Sequence, residues 1–286
     1  PENEIVVTVG GSEAIDLCLR AFLCEGDEVL IPQPSFVCYE PLAGLSGAKP
    51  VILNTCKENS FKVTPEMVKN ALTPKTKMLI LSYPNNPTGA VMTGEELAAV
   101  AKVLEGTNVV VVSDEIYAEL SYGLKHTSFA SLPGMRERTI LVSGFSKAFA
   151  MTGWRLGYCC GPKELMLYLL RLHQHMLMCA PTSAQYAAIE ALKSGIPDTE
   201  YMIGKYDERR RYLYKALVDL GFDCFEPQGA FYIFPDVSMF APDGGAFVED
   251  LLRSQRVAVV PGDAFGESGK NHIRISYAYS LEALKK

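Results

Sequence analysis

Seven short apolar runs, each followed by turn-forming residues, dominate the first two thirds of the chain: Ile5 to Val9, Glu28 to Ile31, Val51 to Leu53, Met78 to Leu81, Val109 to Val112, Ile140 to Val142 and Leu156 to Cys160. Helical patterns lie between several of them. The spacing predicts helices over Glu13 to Cys24, Pro65 to Leu72 with Thr64 as N-cap, and Gly94 to Glu105 with Thr93 as N-cap. Runs this apolar suit strands buried on both faces, so the alternation predicts an α/β fold: a mostly parallel sheet with helices on both faces. In such sheets ligands lie outside the carboxyl ends of the strands, which makes the turns after each strand the place to look for chemistry.

The texture changes after Pro162. Predicted helices cover Lys163 to Met178, Ala184 to Lys193 and the charged stretch Thr199 to Leu220, where Arg209, Arg210 and Arg211 read as a solvated helix face. Short strands and a helix follow at Phe231 to Phe234, Phe247 to Arg253, Val257 to Val260 and His272 to Tyr277. These imply a large domain over residues 1–197 and a smaller C-terminal α+β domain over 198–286.

Composition narrows the partners. A chain of 286 residues with a net charge of −6 is too acidic overall to point to nucleic acid or an anionic membrane, which leaves small molecules. No apolar run is long enough to span a bilayer. The eight cysteines contain no C-x-x-C pair and lie mostly in apolar runs, so they read as buried thiols of a cytosolic protein. His173 and His175 stand two apart on a predicted helix and point to different sides, so no metal site is expected.

Four turns stand out. Lys147 follows the strand Thr139 to Val142 inside Gly144-Phe145-Ser146-Lys147-Ala148-Phe149-Ala150-Met151-Thr152-Gly153-Trp154-Arg155-Leu156-Gly157. A lysine among small and apolar neighbours sheds its proton more easily and becomes a nucleophilic amine, the state that forms Schiff bases. Gly10-Gly11-Ser12-Glu13 joins the first strand to a helix, where free backbone N–H groups and the helix dipole suit an anion. It lacks the G-x-G-x-x-G pattern of dinucleotide sites. Asn86-Pro87-Thr88-Gly89 is made of turn formers. Asp114 comes after four valines and Ser113, and a carboxylate there needs a partner, since an unpaired buried charge costs several kcal/mol.

Taken together and in this order, these stretches resemble the class I/II aminotransferases, pyridoxal-phosphate enzymes of fold type I, over essentially the whole chain. The resemblance implies pyridoxal 5'-phosphate as cofactor and Lys147 as its attachment and catalytic lysine. Gly11, Ser12, Glu13, Ser146 and Arg155 fall at the phosphate positions, with Glu13 expected to offer its backbone amide and turn its side chain away. Phe36 takes the place of the aromatic that stacks on the pyridine ring, and Asn86 and Tyr117 those of the donors to the ring hydroxyl oxygen. Asp114 takes that of the carboxylate opposite the ring nitrogen, the contact that makes the ring an electron sink. Arg274, with Asn86 beside it, is expected to grip the substrate α-carboxylate.

The implied reaction is exchange of an amino group between an L-amino acid and a 2-oxo acid, with Lys147 moving the α-proton. Two other readings carry the same resemblance: a transcription regulator with an aminotransferase-like domain, and a pyridoxal-phosphate lyase of the same fold. The Met151-Thr152-Gly153-Trp154-Arg155 variant, with Phe36-Val37 and Cys179-Ala180-Pro181, looks most like bacterial enzymes acting on aspartate, aromatic amino acids or N-acetyl-diaminopimelate. The family also implies a homodimer, and an N-terminal arm and last helical turn beyond the present sequence, while the cysteine pattern implies a reducing, cytoplasmic setting.

Overall fold

The computed structural model describes residues Glu2 to Lys286. Among them, every strand predicted for the first two thirds forms, and all join one sheet: β1 (Ile5–Thr8), β2 (Glu28–Gln33), β3 (Lys49–Asn54), β4 (Thr76–Ser82), β5 (Val110–Asp114), β6 (Thr139–Gly144) and β7 (Gly157–Cys160). Their order is β1-β7-β6-β5-β4-β2-β3. Strands β2 to β6 pair in parallel, while β7 runs antiparallel to β6 and β1. The helices are α1 (Gly10–Phe22), α2 (Tyr39–Leu45), α3 (Pro65–Ala71), α4 (Gly94–Val103), α5 (Phe145–Ala148), α6 (Lys163–Met176), α7 (Thr182–Ser194), α8 (Ile196–Asp219), α9 (Gly244–Gln255) and α10 (Leu281–Lys285).

The unbroken apolar strands are explained by two cores, one on each face of the sheet. Val29, Ile31, Met78, Ile80 and Val112 pack with Ile15, Leu19, Met166 and Leu169 of α1 and α6. Their neighbours Leu30, Leu79, Leu81 and Val111 point the other way, onto Val68, Leu97 and Val100 of α3 and α4. Alternate residues of one strand thus serve opposite layers, each fully buried aliphatic contributing about 1.5–3 kcal/mol. Local chemistry sets the helix starts: Thr64 accepts from Met67 N with Pro65 at the first helical position, and Thr93 and Glu96 cap one another reciprocally.

A second sheet of β8 (Tyr232–Ile233), β10 (Ile273–Ser276) and β9 (Val260–Pro261), antiparallel throughout, is backed by α8 through Leu213, Leu217, Ile233 and Tyr277.

Three expectations fail here. β1, expected in the core, is the edge of the sheet, with Ile5 and Val7 exposed and only alternate residues buried. Of the eight cysteines, only Cys18, Cys159 and Cys224 are buried while Cys24, Cys56 and Cys179 are exposed, because apolar neighbours in sequence do not fix which face of an element a residue occupies. Arg210 of the arginine triplet is buried rather than solvated: it faces inward from α8 to Asp207, Glu226 and the carbonyl of Pro227.

Strand direction then gathers the turns. The carboxyl ends of β1, β2, β4, β5 and β6 lie at one edge of the sheet, and β7, reversed, brings its amino end there too, with Gly157 paired to Thr8 and Gly144. A side chain at Gly157 would meet the backbone at 2.6 Å from Gly10 C and 2.7 Å from Gly11 N, so glycine lets this turn seat directly on the sheet.

Candidate active site

The turns at that edge enclose a cavity of about 360 Å3, lined among others by Gly11, Ser12, Phe36, Asn86, Asp114, Tyr117, Ser146, Lys147, Arg155 and Arg274. Lys147 lies in the four-residue α5 directly after β6, rather than in an open turn. Its Nζ is 5.7 Å from the ring centre of Tyr117 and 5.5 Å from that of Phe231. Burial first, then the charges of Arg155 and Arg274, draws its pKa below the usual lysine value, against the pull of Asp114. The amine is therefore easier to deprotonate than a surface lysine.

Asp114 ends β5 and is buried. Its Oδ2 accepts from the Tyr39 hydroxyl at 2.6 Å and its Oδ1 from Ile116 N at 3.2 Å. Burial pushes its pKa up, and those two donors only partly oppose the rise. Among the described residues no lysine, arginine or histidine lies within 4.0 Å of this carboxylate.

Across the cavity, Arg274 on β10 donates through Nη1 to Asn86 Oδ1 at 2.8 Å. That contact orients the amide, leaving the two N–H groups of Asn86 for another acceptor. The Asn86 turn is held by its neighbours: Asn85 Oδ1 accepts from Thr88 N at 3.2 Å and Thr88 Oγ1 at 2.9 Å. The guanidinium of Arg274 lies between two rings, 4.3 Å from the centre of Tyr232 and 4.7 Å from that of Phe265.

At the third corner stand Gly11, Ser12, Ser146 and Arg155. Arg155 holds a left-handed backbone (φ 51°) and donates to Thr152 O at 2.9 Å. Gly10, at φ 78°, passes so close that a Cβ would sit 2.7 Å from Arg155 Nη2. Glu13 does not line the cavity. Its carboxylate turns back to accept from Val9 N and pairs with His173 Nδ1 at 2.7 Å, while His175 stays exposed. The ring of Phe36 reaches the cavity edge-on to Tyr39, with centres 5.7 Å apart.

Six lining residues were missed from the sequence: Ile15, Ser82, Ile116, Thr152 and, of more consequence for the chemistry, Tyr39 and Tyr232. Tyr39 and Tyr232 both sit in apolar stretches where an aromatic reads as core; the signal that could have found Tyr39 is its place one helical turn after Phe36.

The residues fit pyridoxal phosphate on three observations of this structure: a buried carboxylate without a cationic partner, an amine with a lowered pKa, and a glycine-lined corner with hydroxyl and guanidinium donors.

Comparison with known proteins identifies the family. The sequence profile of the family described as Aminotransferase class I and II matches residues 1–286. The Bacillus subtilis protein named Putative aminotransferase YugH is 47% identical over 286 residues, a match covering 100% of this chain and 74% of that protein. An aspartate aminotransferase of Pyrococcus abyssi is 43% identical over 289 residues, covering 100% and 74%. The crystal structure of an aromatic aminotransferase from Pyrococcus horikoshii superposes with a TM-score of 0.97 at 43% identity, covering 100% of this chain and 77% of that one. These matches favour transamination over a regulator or a lyase of the same fold. The chain belongs to the class I and II aminotransferases, enzymes that move an amino group between an amino acid and a 2-oxo acid.

Proposed function

We propose that this transamination depends on pyridoxal 5'-phosphate held in the cavity, with Lys147 as attachment point and proton carrier. The observation that supports this most directly is Asp114, a buried carboxylate facing the cavity that only neutral donors touch. When bound, the cofactor supplies a conjugated ring that takes up the electron pair left when the α-proton departs. Asp114 is the residue to hold a positive ring nitrogen, and Tyr39 keeps its carboxylate aimed. Gly11, Ser12, Ser146 and Arg155 are the phosphate holders; Glu13 takes part through its backbone amide, its side chain being committed to His173. Phe36 would cover one face of the ring, and Asn86 and Tyr117 would donate to the ring oxygen.

Arg274 receives the substrate α-carboxylate, bidentately, since one of its five N–H groups is spent on Asn86 and both rings leave its edge free. Lys147, whose amine is more easily deprotonated than a surface lysine's, would take the α-proton and return it on the other side of the exchange. Aspartate, aromatic amino acids and N-acetyl-LL-diaminopimelate, the substrates in the relatives' names, define the range to test.

The working unit in this reading is a cytoplasmic homodimer of subunits divided into residues 1–197 and 198–286. Its support is the exposed apolar set Leu167, Tyr168, Leu170, Tyr186 and Ile189 on α6 and α7, together with the preference of soluble enzymes for closed two-fold pairing. Borohydride reduction of the loaded protein followed by peptide mapping should find the pyridoxyl group on Lys147; an adduct on another lysine would overturn the assignment. Size analysis of the same sample tests the dimer.

A further inference from the structure

Tyr232 has no role in the reading above, yet it touches two residues that do. Its hydroxyl lies 3.0 Å from that of Tyr117, and its ring lies under the Arg274 guanidinium, 4.3 Å away. We propose that Tyr232 is a positioning residue for transamination: its hydroxyl donates to Tyr117 and so aims the Tyr117 proton at the cofactor ring oxygen, while its ring holds Arg274 ready for the substrate carboxylate. The inference rests on the cofactor placement proposed above.

The frame around the contact is rigid. Tyr232 pairs with Ser276, so Tyr232 and Arg274 lie on the same face of adjacent strands, at the diagonal separation that long side chains bridge. Ala230, two residues earlier, donates its N–H to Leu120 O at 2.8 Å, and Tyr122 N donates to Gln228 O at 2.8 Å. The Ala230 carbonyl in turn accepts from the hydroxyls of Tyr122 and Tyr277. The segment that follows Tyr117 and the segment that leads into Tyr232 are thus stitched together next to the two hydroxyls.

Two hydroxyls that share one hydrogen bond have one proton left over. If Tyr232 donates, the spare proton belongs to Tyr117 and points into the cavity. A hydroxyl that accepts one bond while donating another is polarised and donates more strongly. The charged and titratable groups facing the pair are Tyr39 from α2, Asp114 from β5, Lys147 from α5, Arg274 from β10 and Tyr206 from α8. A stronger donor at the ring oxygen lowers the basicity of the chromophore that the cofactor forms with Lys147, so losing that donor's support must raise it.

The test is a pH titration of the visible absorbance of the loaded enzyme, with steady-state kinetics on the same samples. Tyr232→Phe keeps the ring and removes the hydroxyl: its apparent pKa should rise by about half a unit and kcat fall about threefold, with KM for amino acid and 2-oxo acid within about twofold of wild type. Tyr232→Leu removes both: the same upward shift should appear, and both KM values should rise about tenfold as Arg274 loses the ring beneath it. A Tyr232→Phe protein that titrates at the wild-type pKa would overturn the hydroxyl role, and a Tyr232→Leu protein with wild-type KM values would overturn the ring role. A wild-type protein with no Lys147-linked visible band would overturn the proposal together with the reading it rests on.

Discussion

Asp114 and Glu115 are neighbours in sequence and both about 4% exposed, yet they sit in opposite kinds of surroundings. Glu115 faces the packed interior. Its Oε1 accepts from Ser113 and Ser128 hydroxyls at 2.8 Å each and from Phe129 N at 3.2 Å, and its Oε2 pairs with His126 Nε2 at 2.8 Å. Asp114 faces the cavity with only a tyrosine hydroxyl and one backbone N–H, and its proton affinity is raised. Burial alone therefore does not mark a functional carboxylate. What separates the two is the number and charge of the donors already spent on each: Glu115 is closed to any further partner, Asp114 is open to one.

The largest effect should come from breaking the open member. Asp114→Asn keeps a polar contact but cannot hold a positive charge on the ring nitrogen, so kcat should fall by about 10²–10³ while the cofactor, still held at its phosphate end, is retained. Turnover close to wild type would remove Asp114 from that role. Glu115→Ala should do the reverse. It strands the donors of Ser113, His126, Ser128 and Phe129, and should cost about 3 kcal/mol of stability, seen as a melting temperature lower by roughly 6–10 °C, with kcat of the folded fraction within about threefold of wild type. An inactive but undiminished melting profile would show that the closed carboxylate also serves the chemistry.

The arginines repeat the contrast with the sign inverted. Arg210 is closed, matched to Asp207 and Glu226, whereas Arg274 is held by an amide and two rings and has no carboxylate within 4.0 Å among the described residues. Arg274→Lys replaces a planar fork by a point charge, so KM should rise about 10–100-fold for amino acid and 2-oxo acid alike, because both present the same α-carboxylate. A change confined to one substrate would move Arg274 to side-chain recognition.

Much of this was legible in the sequence, and for a physical reason. A strand buried on both faces has to be apolar throughout, so β4, β5 and β6 announce themselves, and chain direction then sends Asn86, Asp114 and Lys147 to one edge without further information. β1 shows the limit: an apolar strand at an edge looks the same in sequence as one in the middle. Arg210 shows another, since three arginines in a row must occupy three directions on a helix and one of them can face inward. Tyr39 and Tyr232 could not be separated from core aromatics because only their hydroxyls distinguish them, and the partners of those hydroxyls, Asp114 and Tyr117, lie far away in the chain. Glu13 could be expected to turn away from an anion, but nothing in the sequence marked His173 as the residue it turns to.

Of the variants of the two carboxylates and two arginines and their partners, the smallest effect, and the one that probes the open carboxylate most finely, is expected from Tyr39→Phe. The Tyr39 hydroxyl donates to Asp114 Oδ2 at 2.6 Å and is the largest influence holding the Asp114 pKa down against burial. Removing it leaves the ring in the core but takes away one charge-assisted hydrogen bond, so kcat should drop by about fivefold to tenfold. The sign of the pH effect follows from the same contact. Without the donor the Asp114 pKa rises further, and the ionised carboxylate required opposite the ring nitrogen is lost earlier as pH falls. The acidic limb of the kcat/KM profile should therefore move to higher pH in Tyr39→Phe, with the alkaline limb in place. Tyr39 touches neither Glu115 nor its donors, so the melting temperature should change far less than in Glu115→Ala. An acidic limb that stays where it is in wild type would mean that Asp114 takes its poise from the cofactor alone, and that the tyrosine beneath it is only filling space.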